Sequence, residues 1–289
     1  MKHLIKSAFF LALLGIMPGH AQEKEHREVI RENISLTQQA KESTLLVKNV
    51  FGSIAIEAYN GTGIQMEVAK TIRAKNEQDL ELGKKELTVK VSQSGSHIVL
   101  RPDAPYIDFD ENRLNFKWCQ DNESVPYEHQ LDFTIRVPAD ILLNVSTIND
   151  GTIEISNTRG SHLKADNING GISLNNISGQ TEVHAINGAV TISYATNPVK
   201  PSTYYSLNGD ITISYQEELS ADIEFTSMNG ELYTDFEIAR QYAKTIKNAT
   251  GKGGSTQYSY VAKPVVQIGK GGTAYDFETL NGNVIIKKI

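Results

Sequence analysis

The stretch INGGISLNNISGQTEVHAINGAVTIS, residues 168–193, contains one short pattern twice. INGGISL returns eighteen residues later as INGAVTI. Each copy has an Asn-Gly pair followed by alternating aliphatic and polar residues. An alternation with a period of two is typical of a β-strand with one buried face, and Asn and Gly both tolerate the positive φ of tight turns. The stretch therefore predicts a unit of strand and turn that repeats along the chain.

The same pattern runs through the second half of the chain, with spacings of 19, 18, 21, 21 and 52 residues. The repeated glycines are Gly151, Gly170, Gly188, Gly209, Gly230 and Gly282. Two residues after them come the aliphatic residues Ile153, Ile172, Val190, Ile211, Leu232 and Val284. Before them stand Asn149 (followed by Asp150), Asn169, Asn187, Asn208, Asn229 and Asn281. A weaker second glycine, Gly160 or Gly179, divides a repeat into two short strands.

This periodicity predicts an all-β fold, a parallel β-solenoid of stacked two-strand coils of about 18–21 residues each. Stacking at about 4.8 Å pairs the backbone of each coil with its neighbours and places the aliphatic residues in columns. The asparagines of successive coils are then placed to hydrogen-bond to one another as a ladder. An antiparallel meander also uses Asn-Gly hairpins and is the alternative architecture.

The repeats occupy residues 141–289, with an interruption near 235–250, and residues 41–140 predict a less regular β-rich region. In that region NVFGSIAIEAY (49–59) repeats the pattern with Ile54 and Ile56. NEQDLELGKKEL (76–87) is the one short helix expected, with Asn76 as its N-cap.

The remaining segments predict irregular structure or chain ends. Residues 22–40 read as a polar, frayed lead-in, and residues 103–127 as a long loop. The exposed ends of the stack must be capped to prevent strand pairing between molecules. We expect the N-terminal region to cap one end and VIIKKI (284–289) to blunt the other.

The N-terminus has the layout of a secretory signal peptide, residues 1–21. Lys2 and Lys6 precede an apolar run too short for a membrane-spanning helix, and cleavage is expected after Ala21. The sequence thus predicts export to the periplasm or cell surface, and no transmembrane helix elsewhere. The formal net charge of −6 disfavours nucleic acid as a partner. Cys119 is the single cysteine and either pairs between molecules or is a buried thiol.

Two stretches carry a family resemblance: FTIRVPADILLNVSTINDGTIEISNTRGSHLKADNINGGISLNNISG from Phe133, and YDFETLNGNVIIKK from Tyr275. They resemble the adhesin-like β-solenoid families of the Gram-negative cell envelope, of the auto-transporter adhesin head-domain type and related domains of unknown function. The resemblance rests on Val137-Pro138, the Asn-Gly corners and the closing Thr279–Gly282 segment. It implies export, a parallel β-solenoid and no established catalytic residues.

The sequence does not predict catalytic residues, a metal site or a cofactor. Asp150, Asp210 and Glu231 fall at corners, and the pattern indicates solvated surface acids. His162 and His184 lie at different phases of their repeats, with no carboxylate expected beside them, so no metal site is predicted. The calcium-binding solenoid signature requires an aspartate that NGGISLNN lacks.

A strip of outward-facing polar residues is the candidate binding surface. Its members lie three and five residues after successive repeat glycines: Ser173, Asn175, Thr191, Ser193, Thr212 and Ser214. Such a strip suits a glycan, a flat protein surface or ice, although Thr and Ser also occur on any exposed strand face. Tyr194, Tyr215 and Phe236 fall in the inward phase, which predicts burial.

The sequence favours an exported, non-enzymatic, adhesin-like binding or scaffold protein of the cell envelope, with envelope glycans or surface proteins as partners. The alternative is a carbohydrate-active β-helix enzyme, a polysaccharide lyase or hydrolase. That alternative needs paired acids in a groove formed by residues 103–127 or 235–250.

Overall fold

The computed structural model describes residues 23–117, 125–252 and 255–289. The expected signal peptide and Cys119 lie outside these residues. Within them, no helix is long and apolar enough to cross a membrane. The described chain is mostly β, with one α-helix and two largely parallel sheets.

The N-terminal elements differ in length and pair both parallel and antiparallel with their neighbours. They are β1 (Lys24–Ile34), a 3-10 helix (Ala40–Glu42), β2 (Thr44–Lys48), β3 (Ile54–Tyr59), β4 (Ile64–Ala74), α1 (Glu77–Glu86), β5 (Thr88–Ser94), β6 (His97–Asp103), β7 (Phe109–Asp110), β8 (Asn115–Phe116) and β9 (Tyr127–Pro138).

The remaining elements are all strands. They are β10 (Leu142–Thr147), β11 (Ile153–Ser156), β12 (His162–Asn169), β13 (Ile172–Ile177), β14 (Gln180–Asn187), β15 (Val190–Tyr194), β16 (Ser202–Asn208), β17 (Ile211–Tyr215), β18 (Ala221–Asn229), β19 (Leu232–Thr234), β20 (Ile238–Lys252), β21 (Ser255–Ile268), β22 (Thr273–Asn281) and β23 (Val284–Lys288).

Each Asn-Gly turn joins a strand of one sheet to a strand of the other. Sheet A has the order β1-β4-β9-β3-β11-β13-β15-β17-β23-β19. Sheet B has the order β20-β21-β18-β22-β16-β14-β12-β10-β2-β6-β5. We call a sheet-B strand and the sheet-A strand that follows its turn a two-strand unit; β12 with β13 is one example.

The aliphatic residues of neighbouring units lie over one another, as the repeat predicted. Ile172 pairs with Val190, and Val190 with Ile211, in parallel register. All three are at most 2% exposed. Each such side chain contributes about 1.5–3 kcal/mol on burial, so the column is a continuous source of stability. The parallel registers overturn the antiparallel meander as the architecture of the repeats.

The N-terminal copy of the pattern joins the same columns. Ile54 pairs with Ile153 on one side and with Phe133 on the other. One hydrophobic core cluster runs from Ile34 to Ile286. The irregular N-terminal region and the repeats therefore share a core.

The order of the units in space departs from their order in the chain. The last unit, β22 with β23, lies between β16 with β17 and β18 with β19. Ile211 therefore contacts Val284 across the ladder, and Leu232 follows beyond it. The expectation that residues 284–289 blunt an end is wrong, because β23 is an interior strand of sheet A.

The lead-in at 22–40 is not frayed, because it contains the eleven-residue strand β1. β1 pairs antiparallel with β4 along its whole length. Its charges meet opposite charges on β4, with Arg31 on Glu67 and Glu25 on Arg73, both at 2.8 Å. A polar strand is thus suited to an exposed sheet edge.

The loop expected at 103–127 contains a small hairpin, β7 with β8. Phe109 packs on Leu46 and Val99, which lie on the outer face of sheet B. The short helix is confirmed as α1, and the side chain of Asn76 accepts a hydrogen bond from the amide of Asp79 at 2.9 Å.

The interruption near 235–250 is larger than expected and ordered as an antiparallel hairpin of β20 and β21. Its base joins sheet B, where Ala221–Glu224 pair with 265–268 of β21. At the other end of the stack β5, β1 and α1 belong to the N-terminal region. The N-terminal region therefore lies at this end of the stack, where the sequence analysis expects a cap.

Candidate binding surface

The hydroxyl strip forms on the outer face of sheet A. Side chains alternate across a strand, so the residues between the buried aliphatics of β13, β15 and β17 point outward. Ser173 pairs with Thr191, Thr191 with Thr212, and Ser193 with Ser214. These five hydroxyl residues are partly or fully exposed. The structure therefore brings them together in two columns with a step of about 4.8 Å.

Asn175 does not continue the second column. The register of β13 on β15 shifts between Leu174 and Ile177, so Asn175 is not opposite Ser193. The cause is a local bulge in which Asn176 has φ 53° and donates its amide to Asn157 at 2.8 Å. We therefore define the hydroxyl strip as Ser173, Thr191, Ser193, Thr212 and Ser214.

The borders of the hydroxyl strip are different from those that chain order implies. On one side Glu154 pairs with Ser173. On the other side Ile285 pairs with Thr212, and Lys287 with Ser214, because β23 is inserted there. The strip is thus a short polar surface, bordered by Glu154 on one side and by Ile285 and Lys287 on the other. The sequence pattern could not show this border, because residues 285 and 287 lie far along the chain.

The corners beside the strip are held by an asparagine ladder. Asn187 donates its side-chain amide to Asn169 at 2.8 Å and accepts from Asn208 at 2.9 Å. The complete ladder is Asn149, Asn169, Asn187, Asn208, Asn281 and Asn229. The predicted ladder is confirmed, with Asn281 and Asn229 in the spatial order of their strands.

The acids singled out from the sequence lie in separate surroundings. The carboxylate of Asp210 accepts from the amide of Asn283 at 2.8 Å. Glu231 accepts from the hydroxyl of Tyr233 at 2.7 Å. Both carboxylates are therefore used in local hydrogen bonds at the corners, and this geometry presents no acid–base pair at either position.

The histidines are arranged differently from the sequence expectation. His162 lies 3.0 Å from the carboxylate of Glu182, so the expectation that no carboxylate accompanies it is wrong. The pair forms because β12 and β14 are adjacent and the repeat length places residue 182 diagonally across from residue 162. His184 stacks on Tyr205 with ring centroids 4.5 Å apart. Among the described residues, no three His, Cys, Asp or Glu side chains form a metal-binding group.

The inward tyrosines form a buried aromatic cluster, as their phase predicted. Tyr194 stacks on Tyr215 at 5.1 Å between ring centroids, and Tyr215 stacks on Tyr275 at 5.3 Å. The hydroxyl of Tyr204 is 2.6 Å from that of Tyr194 and accepts from Tyr215 at 3.1 Å. Burial raises the pKa of these three hydrogen-bonded tyrosines well above the usual value. Phe236 is also buried.

A second buried titratable group lies at the N-terminal end. Burial, together with a smaller contribution from the nearby Lys70, lowers the pKa of His129 to about 4. Its Nδ1 is 3.2 Å from the hydroxyl of Tyr106, and Phe51 packs edge-on against its ring. A neutral imidazole among aromatic rings indicates a structural role.

An open cleft of about 630 Å³ lies at the N-terminal end, away from the strip. It is lined by the segments 35–40, 59–63 and 138–140 and by Arg159. Asp140 is the one carboxylate among its described lining residues and is paired with Arg159 at 3.4 Å. The cleft does not coincide with either groove considered for an enzyme.

Three solved structures resemble the chain in shape, at low similarity. A candidate cell adhesion protein from Clostridium sporogenes matches with a TM-score of 0.42 and 11% identity, over 92% of this chain and 100% of that one. A candidate adhesin from Bacteroides fragilis matches with a TM-score of 0.27 and 8% identity, over 91% and 97%. A candidate lipid binding protein from Parabacteroides distasonis matches with a TM-score of 0.28 and 12% identity, over 91% and 96%.

No curated protein matches the chain. Residues 143–264 match the family model described as Toastrack DUF4097, a domain family of unknown function. That segment covers β11 to β20 completely, together with most of β10 and part of β21.

Proposed function

We propose that the protein is an exported β-solenoid of the Gram-negative cell envelope that acts as a non-enzymatic, adhesin-like binding or scaffold module. The observation that carries the proposal is the hydroxyl strip. Five partly or fully exposed hydroxyl side chains lie in two registered columns on a sheet whose other face is a continuous aliphatic core.

The strip has the chemistry of a surface that meets a flat polar partner. Hydroxyls both donate and accept hydrogen bonds, and the backbone pairing of the strands fixes their spacing before any partner binds. Envelope glycans are rich in hydroxyl groups and are the partner class that we propose. The signal-peptide pattern expected at residues 1–21 supports the proposal of export.

The test is binding of the mature chain, residues 22–289, to a glycan array and to isolated envelope fractions. Thr191→Arg places a bulky side chain at the centre of the strip. Thr203→Arg is the matched control, because Thr203 is exposed on β16 of sheet B. We expect Thr191→Arg to weaken binding at least tenfold at an unchanged melting temperature, and Thr203→Arg to bind as the parent does.

Three results contradict the proposal. The first is a parent chain that binds nothing in either assay. The second is a Thr191→Arg chain that binds as well as the parent. The third is polysaccharide degradation by the mature chain that is lost when one acid, such as Asp140 of the cleft, is replaced, and this result would favour the carbohydrate-active enzyme.

A further inference from the structure

A column of aliphatic side chains runs along the outer face of sheet B, beside the asparagine ladder. Each member immediately precedes a ladder asparagine, and the registers of the flanking residues place the members side by side. We call this column the aliphatic stripe, and it consists of Ile148, Ile168, Ile186, Leu207, Leu280 and Met228.

The aliphatic stripe is not part of the core. None of its members belongs to the described hydrophobic clusters or to the apolar side chains packed against them. Met228 is 75% exposed and Ile168 38%, and the other four are partly exposed. Six units at about 4.8 Å make the stripe about 24 Å long. A continuous apolar surface that is at least partly exposed along its length is typical of an interaction site.

Acidic side chains flank the aliphatic stripe on both sides. Asp166 and Glu278 lie two residues before a stripe residue, on the sheet side. Asp150, Asp210 and Glu231 lie two or three residues after one, on the corner side. Lys164 is 3.6 Å from Asp166. In the described part of the chain, the other four acids form no salt bridge with a basic side chain.

This charge pattern decides between the possible occupants. A second copy would bring its own acids against these, and an anionic lipid surface would be repelled in the same way. A basic partner gains favourable electrostatic interactions with the acids on both sides of the aliphatic stripe. The charge complementarity therefore favours a cationic segment with one apolar face.

We propose that the aliphatic stripe docks a cationic amphipathic helix of about 16 residues, the length that spans about 24 Å at 1.5 Å per residue. One apolar side chain per helical turn recurs at about 5.4 Å, close to the stripe repeat of about 4.8 Å. An extended strand lying along the stack repeats its apolar side chains at about 6.6 Å and falls out of step within three units. Lysines beside the apolar face of the helix meet the acids that flank the stripe.

The test uses a labelled synthetic peptide of 16 residues, made of leucine and lysine with the leucines on one helical face, and the mature full chain. We expect saturable binding in fluorescence anisotropy that weakens with salt. The double variant Ile168→Ser with Leu207→Ser should weaken binding at least tenfold. Val29→Ser is the control for loss of an exposed apolar residue, because Val29 is 49% exposed on β1. It should bind as the parent does.

The charges are tested separately. Asp210→Asn with Glu278→Gln should weaken peptide binding at least threefold, whereas Glu32→Gln on β1 should not. The proposal is overturned if a scrambled peptide without an apolar face binds equally well. It is also overturned if the chain binds phosphatidylglycerol vesicles more tightly than the peptide. A third contrary result is a dimer in sedimentation that the double variant Ile168→Ser with Leu207→Ser abolishes. Thr191→Arg should leave peptide binding unchanged, so this surface and the hydroxyl strip can fail independently.

Discussion

At the scale of single residues, the corner glycines set how closely neighbouring units approach. An ideal Cβ on Gly188 would lie 2.2 Å from the carbonyl oxygen of Gly170 and 2.5 Å from its carbon. The equivalent Cβ on Gly209 would lie 2.3 Å from the oxygen of Gly188. Neither glycine has a positive φ, so the backbone conformation does not itself require glycine. Glycine is needed at both positions because there is no room for a side chain.

Gly188→Ala should therefore destabilise the protein by about 2–4 kcal/mol, because backbone must move in two neighbouring units. Urea unfolding of the mature chain measures this loss. Gly95→Ala is the control: its φ is +58° but nothing lies within 4 Å of its Cβ, so we expect a loss of about 1–2 kcal/mol. Equal small losses in both variants would contradict the close packing of the corners.

At the scale of elements, the tyrosine cluster joins strands of the two sheets across the core. Tyr194 ends β15, Tyr204 lies on β16, Tyr215 ends β17 and Tyr275 lies on β22. Tyr194 stacks on Tyr215 within sheet A, Tyr215 stacks on Tyr275 of sheet B, and the hydroxyls of Tyr194, Tyr204 and Tyr215 hydrogen-bond to one another in the interior. A buried hydroxyl that loses its partner costs about 1–3 kcal/mol.

Tyr204→Phe removes the hydroxyl that Tyr194 and Tyr215 share, so we expect it to lose about 1–3 kcal/mol at pH 7. Because the folded-state pKa of these tyrosines is raised, their contribution is present below the unfolded pKa of about 10 and is lost as pH rises above it. The parent should therefore lose stability between pH 9 and 11, and Tyr204→Phe should lose less over that range.

Urea unfolding at pH 7, 9 and 11 measures both effects. Tyr233→Phe serves as control, because Tyr233 is 50% exposed and its hydroxyl donates to the surface residue Glu231. If Tyr204→Phe matched the parent at every pH, the hydrogen-bonded cluster would be refuted.

The sequence predicted the elements of the repeats well because period and corner chemistry agree. Alternation named the buried residues of each strand, and the Asn-Gly pairs named the turns. The sequence did not predict the bulge at Asn175, because nothing in the sequence distinguishes Asn176 from an ordinary strand residue. Its φ of 53° is evident only in the structure. The sequence did not predict β1, because its charged residues indicated a segment exposed to solvent. The opposite charges that pair with them lie on β4, far along the chain.

At the scale of the whole molecule, unit order is the feature that sequence could not determine. Every unit offers the same backbone edge, the same aliphatic columns and the same ladder asparagine. Asn229 and Asn281 are therefore interchangeable neighbours for Asn208 as far as local chemistry goes. The order is set by the links between units. The link 216–220 leaves one unit position empty between β17 and β19, and the hairpin of β20 and β21 leads the chain back so that β22 and β23 fill that position.

This order also determines both proposed surfaces. The insertion of β22 and β23 places Ile285 and Lys287 at the border of the hydroxyl strip. It also places Leu280 between Leu207 and Met228 in the aliphatic stripe. With the units in chain order, both surfaces would have different neighbours.

Cysteine cross-linking in a Cys119→Ser background tests the stacked columns and their order most directly. In parallel register, Thr212 and Ile285 are neighbours at about 4.8 Å, within the span of a disulfide, whereas Thr212 and Tyr233 are two strands, about 9.6 Å, apart. We predict that Thr212→Cys with Ile285→Cys forms an intramolecular disulfide on oxidation and that Thr212→Cys with Tyr233→Cys does not. The opposite result would place the units in chain order, and a disulfide in neither pair would contradict the columns themselves.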